Sequence, residues 1–297
     1  MAKGRLFFVA ECGENSILIC RRGAGALRRL PLPPGACGPR RLLLSGRELF
    51  HADVFSSTVG QLILGSPAGQ QLLPTGRAPA DLAVFAGNLF TACGDSNSLW
   101  QFSAQPFFPM AALPAGACPV ALCAGGGLLC AAECLCGRLG FYNAALRPAG
   151  FCAVEGLPLC ADVSQEGFFA GVLLGSGKGA VYRTLGPGSL TEGFLTPAPV
   201  TGVRTFIAGG RAAGVALHLW ENCATLFDAA ELRPLRTFAC GRMPDDVRTD
   251  GEALYISCLQ DDAVEIYDLA GNLQERVATG REPRGLALCE GDLDWLE

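Results

Sequence analysis

Arginines and carboxylates gather in this sequence around one recurring four-residue frame, G-x-x-P. Arg40 and Arg41 follow Pro39, Arg77 stands before Pro79, and Arg242 precedes Pro244 with Asp245 and Asp246 behind it. Arg281 and Arg284 flank Pro283, and Arg204 follows Val203, which takes the place of a proline. A second set of acids, Glu11, Asp53 and Glu133, closes short apolar runs, with Cys93 and Cys258 at equivalent places. Guanidinium and carboxylate groups brought to one mouth could hold an anionic or polyhydroxylated ligand through bidentate hydrogen bonds. The same residue types also build ion pairs that pin neighbouring units together. Every basic residue except Lys3 and Lys178 is an arginine, so arginine at a loop is a weak signal by itself, and structural pairing is the preferred reading.

Other chemistry is thinly represented. The histidines, His51 and His218, fall inside apolar runs. His51 and Asp53 at i and i+2 share one face of a strand without forming a relay. No G-x-S-x-G elbow, HExxH motif or Ser-His-Asp signature occurs, and no catalytic residue is assigned. Gly175-Ser176-Gly177-Lys178-Gly179 lacks the spacing of a phosphate-binding loop and reads as a turn. Fifteen cysteines include no CxxC pair. The group Cys130, Cys134 and Cys136 has no histidine near it, so neither a metal nor a cofactor is expected, and cysteine reads as a small buried apolar residue. Trp100 and Trp220 read as packing aromatics, and Trp295 as part of an acidic tail.

Composition narrows the class. Of the 297 residues 50% are hydrophobic and 17% charged, too apolar for a disordered chain. A formal charge of -5 argues against a nucleic-acid partner. Ser96 to Ala132 carries no charge, but Pro106, Pro109, Pro114, Pro119 and three consecutive glycines argue against a membrane span, whose backbone groups they would leave unsatisfied. The apolar run Leu6–Ala10 stops at Glu11, short of a secretory leader, so a cytoplasmic protein is expected.

The elements that must position the charged residues follow from the repeat. Its copies start at Pro39, Pro79, Pro119, Pro158, Val203, Pro244 and Pro283, 39 to 45 residues apart. Three residues after each start stands Leu42, Leu82, Leu122, Ala161, Phe206, Val247 or Leu286. Gly46, Gly87, Gly126, Gly167, Gly210, Gly251 and Gly291 then mark a turn, followed by an apolar run and a polar bend. Four short strands per repeat, arranged radially, make a β-propeller blade. The sequence predicts an all-β, seven-bladed propeller over 1–297, in which the strand near Leu286 joins Leu6–Ala10 to complete one blade. The connectors and the bends between second and third strands are expected on one face, around the channel mouth.

Gly280-Arg281-Glu282-Pro283 and Asp262-Ala263-Val264-Glu265-Ile266-Tyr267-Asp268 resemble the YVTN-type propeller repeat. The tetrapeptide of that family is degenerate here, as Phe8-Val9-Ala10-Glu11, Phe50-His51-Ala52-Asp53 and Tyr255-Ile256-Ser257-Cys258. The resemblance implies a fold shared by surface proteins, cytosolic or periplasmic proteins of varied role, and a related group of sugar lactonases. From these residues we expect a monomeric binding or scaffold module for a protein partner or a small anionic metabolite at the channel mouth. A lactonase-like hydrolase acting on a sugar-acid lactone is the alternative.

Overall fold

Second strands such as Leu6–Glu11 (LFFVAE), Glu48–Asp53 (ELFHAD) and Ala253–Cys258 (ALYISC) are buried at every position, so both of their faces must be covered. A computed structural model, which describes residues 5–66, 69–189 and 191–289, shows what covers them. Seven four-stranded antiparallel sheets stand around an axis, each packed on both sides by its neighbours. The buried apolar residues accordingly fall into seven clusters, one for each junction between adjacent sheets. One example joins Phe7, Val9 and Leu18 of the first blade to Tyr255, Val264 and Ile266 of the last. Two-sided burial explains why half the sequence is hydrophobic.

The blade completed by both ends consists of Pro283–Leu288, Leu6–Glu11, Ser16–Arg21 and Gly25–Pro31. Phe7 pairs with Leu288, Phe8 with Ala287 and Val9 with Leu286. We number it blade 1 and the others in chain order. The remaining innermost strands are Pro39–Ser45, Pro79–Phe85, Pro119–Gly125, Leu157–Ser164, Gly202–Ala208 and Pro244–Thr249. The proline of the repeat thus opens an inner strand. The charge-free stretch from Ser96 to Ala132 runs through blades 3 and 4. No helix among the described residues is long and apolar enough to cross a membrane.

Connectors and bends do share one face, and a recurring device locks them together. Asn15, Asn97, Asn222 and Asp262 sit at the bend of one blade with left-handed backbone. Their side-chain oxygens accept hydrogen bonds from the backbone N–H groups of Gly38, Cys118, Met243 and Glu282, the residues just before the prolines of the next blade, at 2.8–3.1 Å. Asn and Asp tolerate the left-handed region better than other non-glycine residues, and a short side-chain acceptor reaches the adjacent connector.

Candidate functional site

The inner strands enclose a cavity of about 530 Å³ on the ring axis, and five arginines and four aspartates line it. They stand at different distances from the proline that starts each repeat. Arg40, Asp245 and Arg284 come one residue after it, on the connector side. Arg41, Asp81 and Asp246 come two after, and Asp162 and Arg248 four after.

Most of this charge is paired. Arg41 Nη1 lies 2.7 Å from Asp245 Oδ2, and Arg284 Nη1 lies 3.6 Å from the other oxygen of the same carboxylate. Arg204 pairs with Asp162 at 2.7 Å and Arg248 with Asp246 at 3.3 Å. Three aspartates also reach across blade junctions. Asp81 accepts from the Leu122 N–H, Asp162 from the Thr205 N–H and Asp246 from the Leu286 N–H, at 2.6–2.8 Å. Each of these acids therefore fastens its own inner strand to the next.

Two cavity residues stand outside this pairing. Arg40 forms no ion pair within 4 Å among the described residues, and its Nε is buried without a hydrogen-bond partner. Burial and the neighbouring Arg41 charge push its pKa below the ordinary arginine value. Asp81 likewise lacks an ion pair among the described residues, and burial raises its carboxyl above the usual range despite Arg41 nearby. Asp245 is the opposite case: burial pushes its carboxyl up, but Arg41, Arg284 and Arg40 together hold it below that range. The cavity thus carries one more cation than anions, inside a protein of formal charge -5.

Of the residues singled out in the sequence, Arg40, Arg41, Arg204, Asp245, Asp246 and Arg284 meet at this cavity. Arg77, Arg242 and Arg281 do not line it. They lie on the connector face, where Arg242 pairs with Asp261 at 2.6 Å, Arg281 with Glu14 at 2.7 Å, and Arg77 reaches the Asp95 carbonyl. Glu11, Asp53 and Glu133 are buried within their blades. Glu11 accepts from Arg29, Ser16 and the Gly280 N–H, and Glu133 from Arg138, Tyr142 and the Gly116 N–H. The glycine of the connector frame is required by this approach, since a Cβ at Gly116 would fall on the Glu133 carboxylate.

His51 departs from the sequence expectation. Its Nδ1 lies 2.7 Å from Asp53 Oδ1, so the two do touch, the imidazole resting on Gly60 of the next strand. Both are fully buried. His218 contacts the Pro199 carbonyl and Thr225, and burial lowers its pKa. Gly175–Gly179 is a turn between the second and third strands of blade 5. Cys130 is buried in mid-strand opposite Cys123, away from Cys134 and Cys136 in the bend, and among the described residues no cluster could hold a metal ion.

Trp220 is not a packing aromatic. It projects from the bend of blade 6 at the cavity rim and is 59% exposed, whereas Trp100 stacks on Phe102 inside blade 3. Trp295 lies outside the described residues. Asp81, Asp162 and Arg248, which sequence reading did not single out, were marked only by fixed offsets from the repeat prolines.

No family model and no curated protein matches the chain. Solved structures do. A protein of unknown function from Desulfotomaculum acetoxidans is 14% identical, covers 97% of this chain and 99% of its own, and superposes with a TM-score of 0.79. A candidate 6-phosphogluconolactonase from Bacteroides uniformis is 14% identical over 97% of this chain and 100% of its own, with a TM-score of 0.75. AztD from Citrobacter koseri, 9% identical, covers 98% and 100% with a TM-score of 0.71. At these identities the likeness is one of fold.

Proposed function

We propose that this chain is a non-catalytic YVTN-type propeller that binds a small anionic ligand in its axial cavity. The observation that carries the reading is Arg40, a cation held at the cavity with a buried, unpartnered Nε while its neighbours are neutralised by aspartates. Arg40 is half-buried, a partly desolvated cation with no counter-ion is unfavourable, and an anion bound beside it would supply the missing partner. The free thiols of the fourteen cysteines from Cys12 to Cys258 fit a reducing, cytoplasmic setting. The test is a thermal-shift screen against anionic metabolites. Some anions are expected to raise Tm in the wild type and to lose that effect in Arg40→Met and Arg284→Met. A flat response across the panel would remove the reading.

A second reading, opening of a sugar-acid lactone, is favoured by Asp81. Its elevated pKa and missing ion pair suit a carboxylate that takes a proton from attacking water, with Arg41 nearby to steady the developing oxyanion. Base uptake on gluconolactone, followed in a pH-stat, would have to fall at least a hundredfold in Asp81→Asn.

A further inference from the structure

The cavity is chemically lopsided. Blades 7, 1 and 2 supply Asp245, Arg284, Arg40 and Arg41, whereas blade 4 supplies only Val120, Ala121, Leu122, Cys123 and Ala124. In a ring of seven, blade 4 stands across the axis from blades 7 and 1. The apolar wall therefore faces Asp245 and Arg284 directly, with Arg40 and Arg41 of blade 2 one blade further round the ring. Val84 of blade 3 and Val163 of blade 5 extend it on either side. The indole of Trp220, largely exposed, sits at the rim on the connector face, the same end as Arg40 and Arg284.

A fully hydrated anion such as phosphate would use the arginines and leave the wall and the indole idle. It would also fill a small part of about 530 Å³. The excess of cations over anions is a single charge. From this arrangement we infer that the ligand is an amphipathic organic monoanion, an aromatic carboxylate. Its carboxylate sits at Arg40 and Arg284, and its flat body lies between Trp220 and the apolar wall of blade 4. This rests on the anion-binding reading above and adds the substrate class. Burying a ring against apolar side chains, with an offset stack on the indole, separates such a ligand from a hydroxylated acid of equal charge.

Isothermal titration of the full chain with 2-naphthoate, gluconate and inorganic phosphate tests it. Naphthoate is expected to bind at least tenfold more tightly than gluconate. Trp220→Ala should weaken naphthoate about three- to tenfold and leave gluconate unchanged. Arg40→Met should abolish both, with thermal unfolding confirming that each variant is folded. Gluconate binding as tightly as naphthoate, or an unaffected Trp220→Ala, would overturn the amphipathic ligand while sparing the anion site. Naphthoate binding that survives Arg40→Met would place it elsewhere and overturn the inference. No binding by any of the three anions would overturn both readings.

Discussion

Replacing Arg40 with methionine is expected to stabilise the ligand-free protein, an unusual sign for a buried-site substitution. Asp245 already receives Arg41 at 2.7 Å and Arg284 at 3.6 Å, which leaves Arg40 as a third cation around one carboxylate. Its Nε has no partner, and a buried donor left unsatisfied costs about 1–3 kcal/mol. Burial and Arg41 lower its pKa, but a guanidinium stays charged at neutral pH. Methionine keeps the apolar stem and ends near the place of Nε, so packing of the stem is retained while the charge is removed. Allowing for the lost attraction to Asp245, the net gain should be about 1 kcal/mol. For a chain of this size that corresponds to a rise in Tm of about 2 °C. Thermal unfolding followed by circular dichroism at pH 7, together with the urea midpoint, measures it. Arg41→Met is the contrast, because it strips Asp245 of its closest partner and should cost about 3 kcal/mol. An Arg40→Met protein that melts at or below the wild-type temperature would refute the reasoning. It would mean that Arg40 is already compensated and that no excess charge is held for a ligand.

Three further outcomes are expected. Burial pushes the Glu11 carboxyl up, but hydrogen bonds from Arg29, Ser16 and the Gly280 amide outweigh it and hold the pKa below its ordinary value. A lowered folded pKa stabilises above the unfolded pKa of about 4.3 and loses that contribution as pH falls through the folded value. Glu11→Gln should therefore cost about 2 kcal/mol at pH 7, and its urea midpoint should converge on the wild type in acid; a gap of constant size at all pH values would contradict this. Asn222→Ala should lose about 1 kcal/mol by removing the acceptor for the Met243 N–H, with Asn222→Asp retaining most of the stability. Brief alkylation of the native protein at pH 8, read by peptide mass spectrometry, should mark Cys136 first. It is the exposed thiol, whereas burial raises Cys20 and Cys160 to about 12.

How much of the site could be read from the sequence depends on one-residue offsets around the repeat proline. The period itself is legible because prolines, turn glycines and alternating apolar residues are local signals, and they determine seven blades and the shared closing blade. Placing an arginine needs more. Arg40 and Arg284 come just after the proline, inside the inner strand, and line the cavity. Arg77, Arg242 and Arg281 come two residues before it, in the connector, where the chain has not yet reached the axis. Ala78, Met243 and Glu282, between those arginines and the prolines, have left-handed backbone, with φ of 54° in each. That reverses the chain direction over one residue, and nothing in the arginine itself marks it. Glu11 and Glu133 illustrate the same limit in a strand. Their position at the strand end is plain, but which way the end faces depends on the third strand and on a connector glycine far away in the chain, such as Gly280. Trp220 escapes sequence reading for a related reason. An aromatic in a tight bend packs inward or stands free according to whether a neighbouring blade offers a surface, and at this corner the surface on offer is the cavity rim. Ion pairs of the kind expected for these arginines are present at Arg41, Arg204, Arg242, Arg281 and Arg284. The charge left over at Arg40 is a property of the whole ring, visible only when all seven inner strands are brought to one axis.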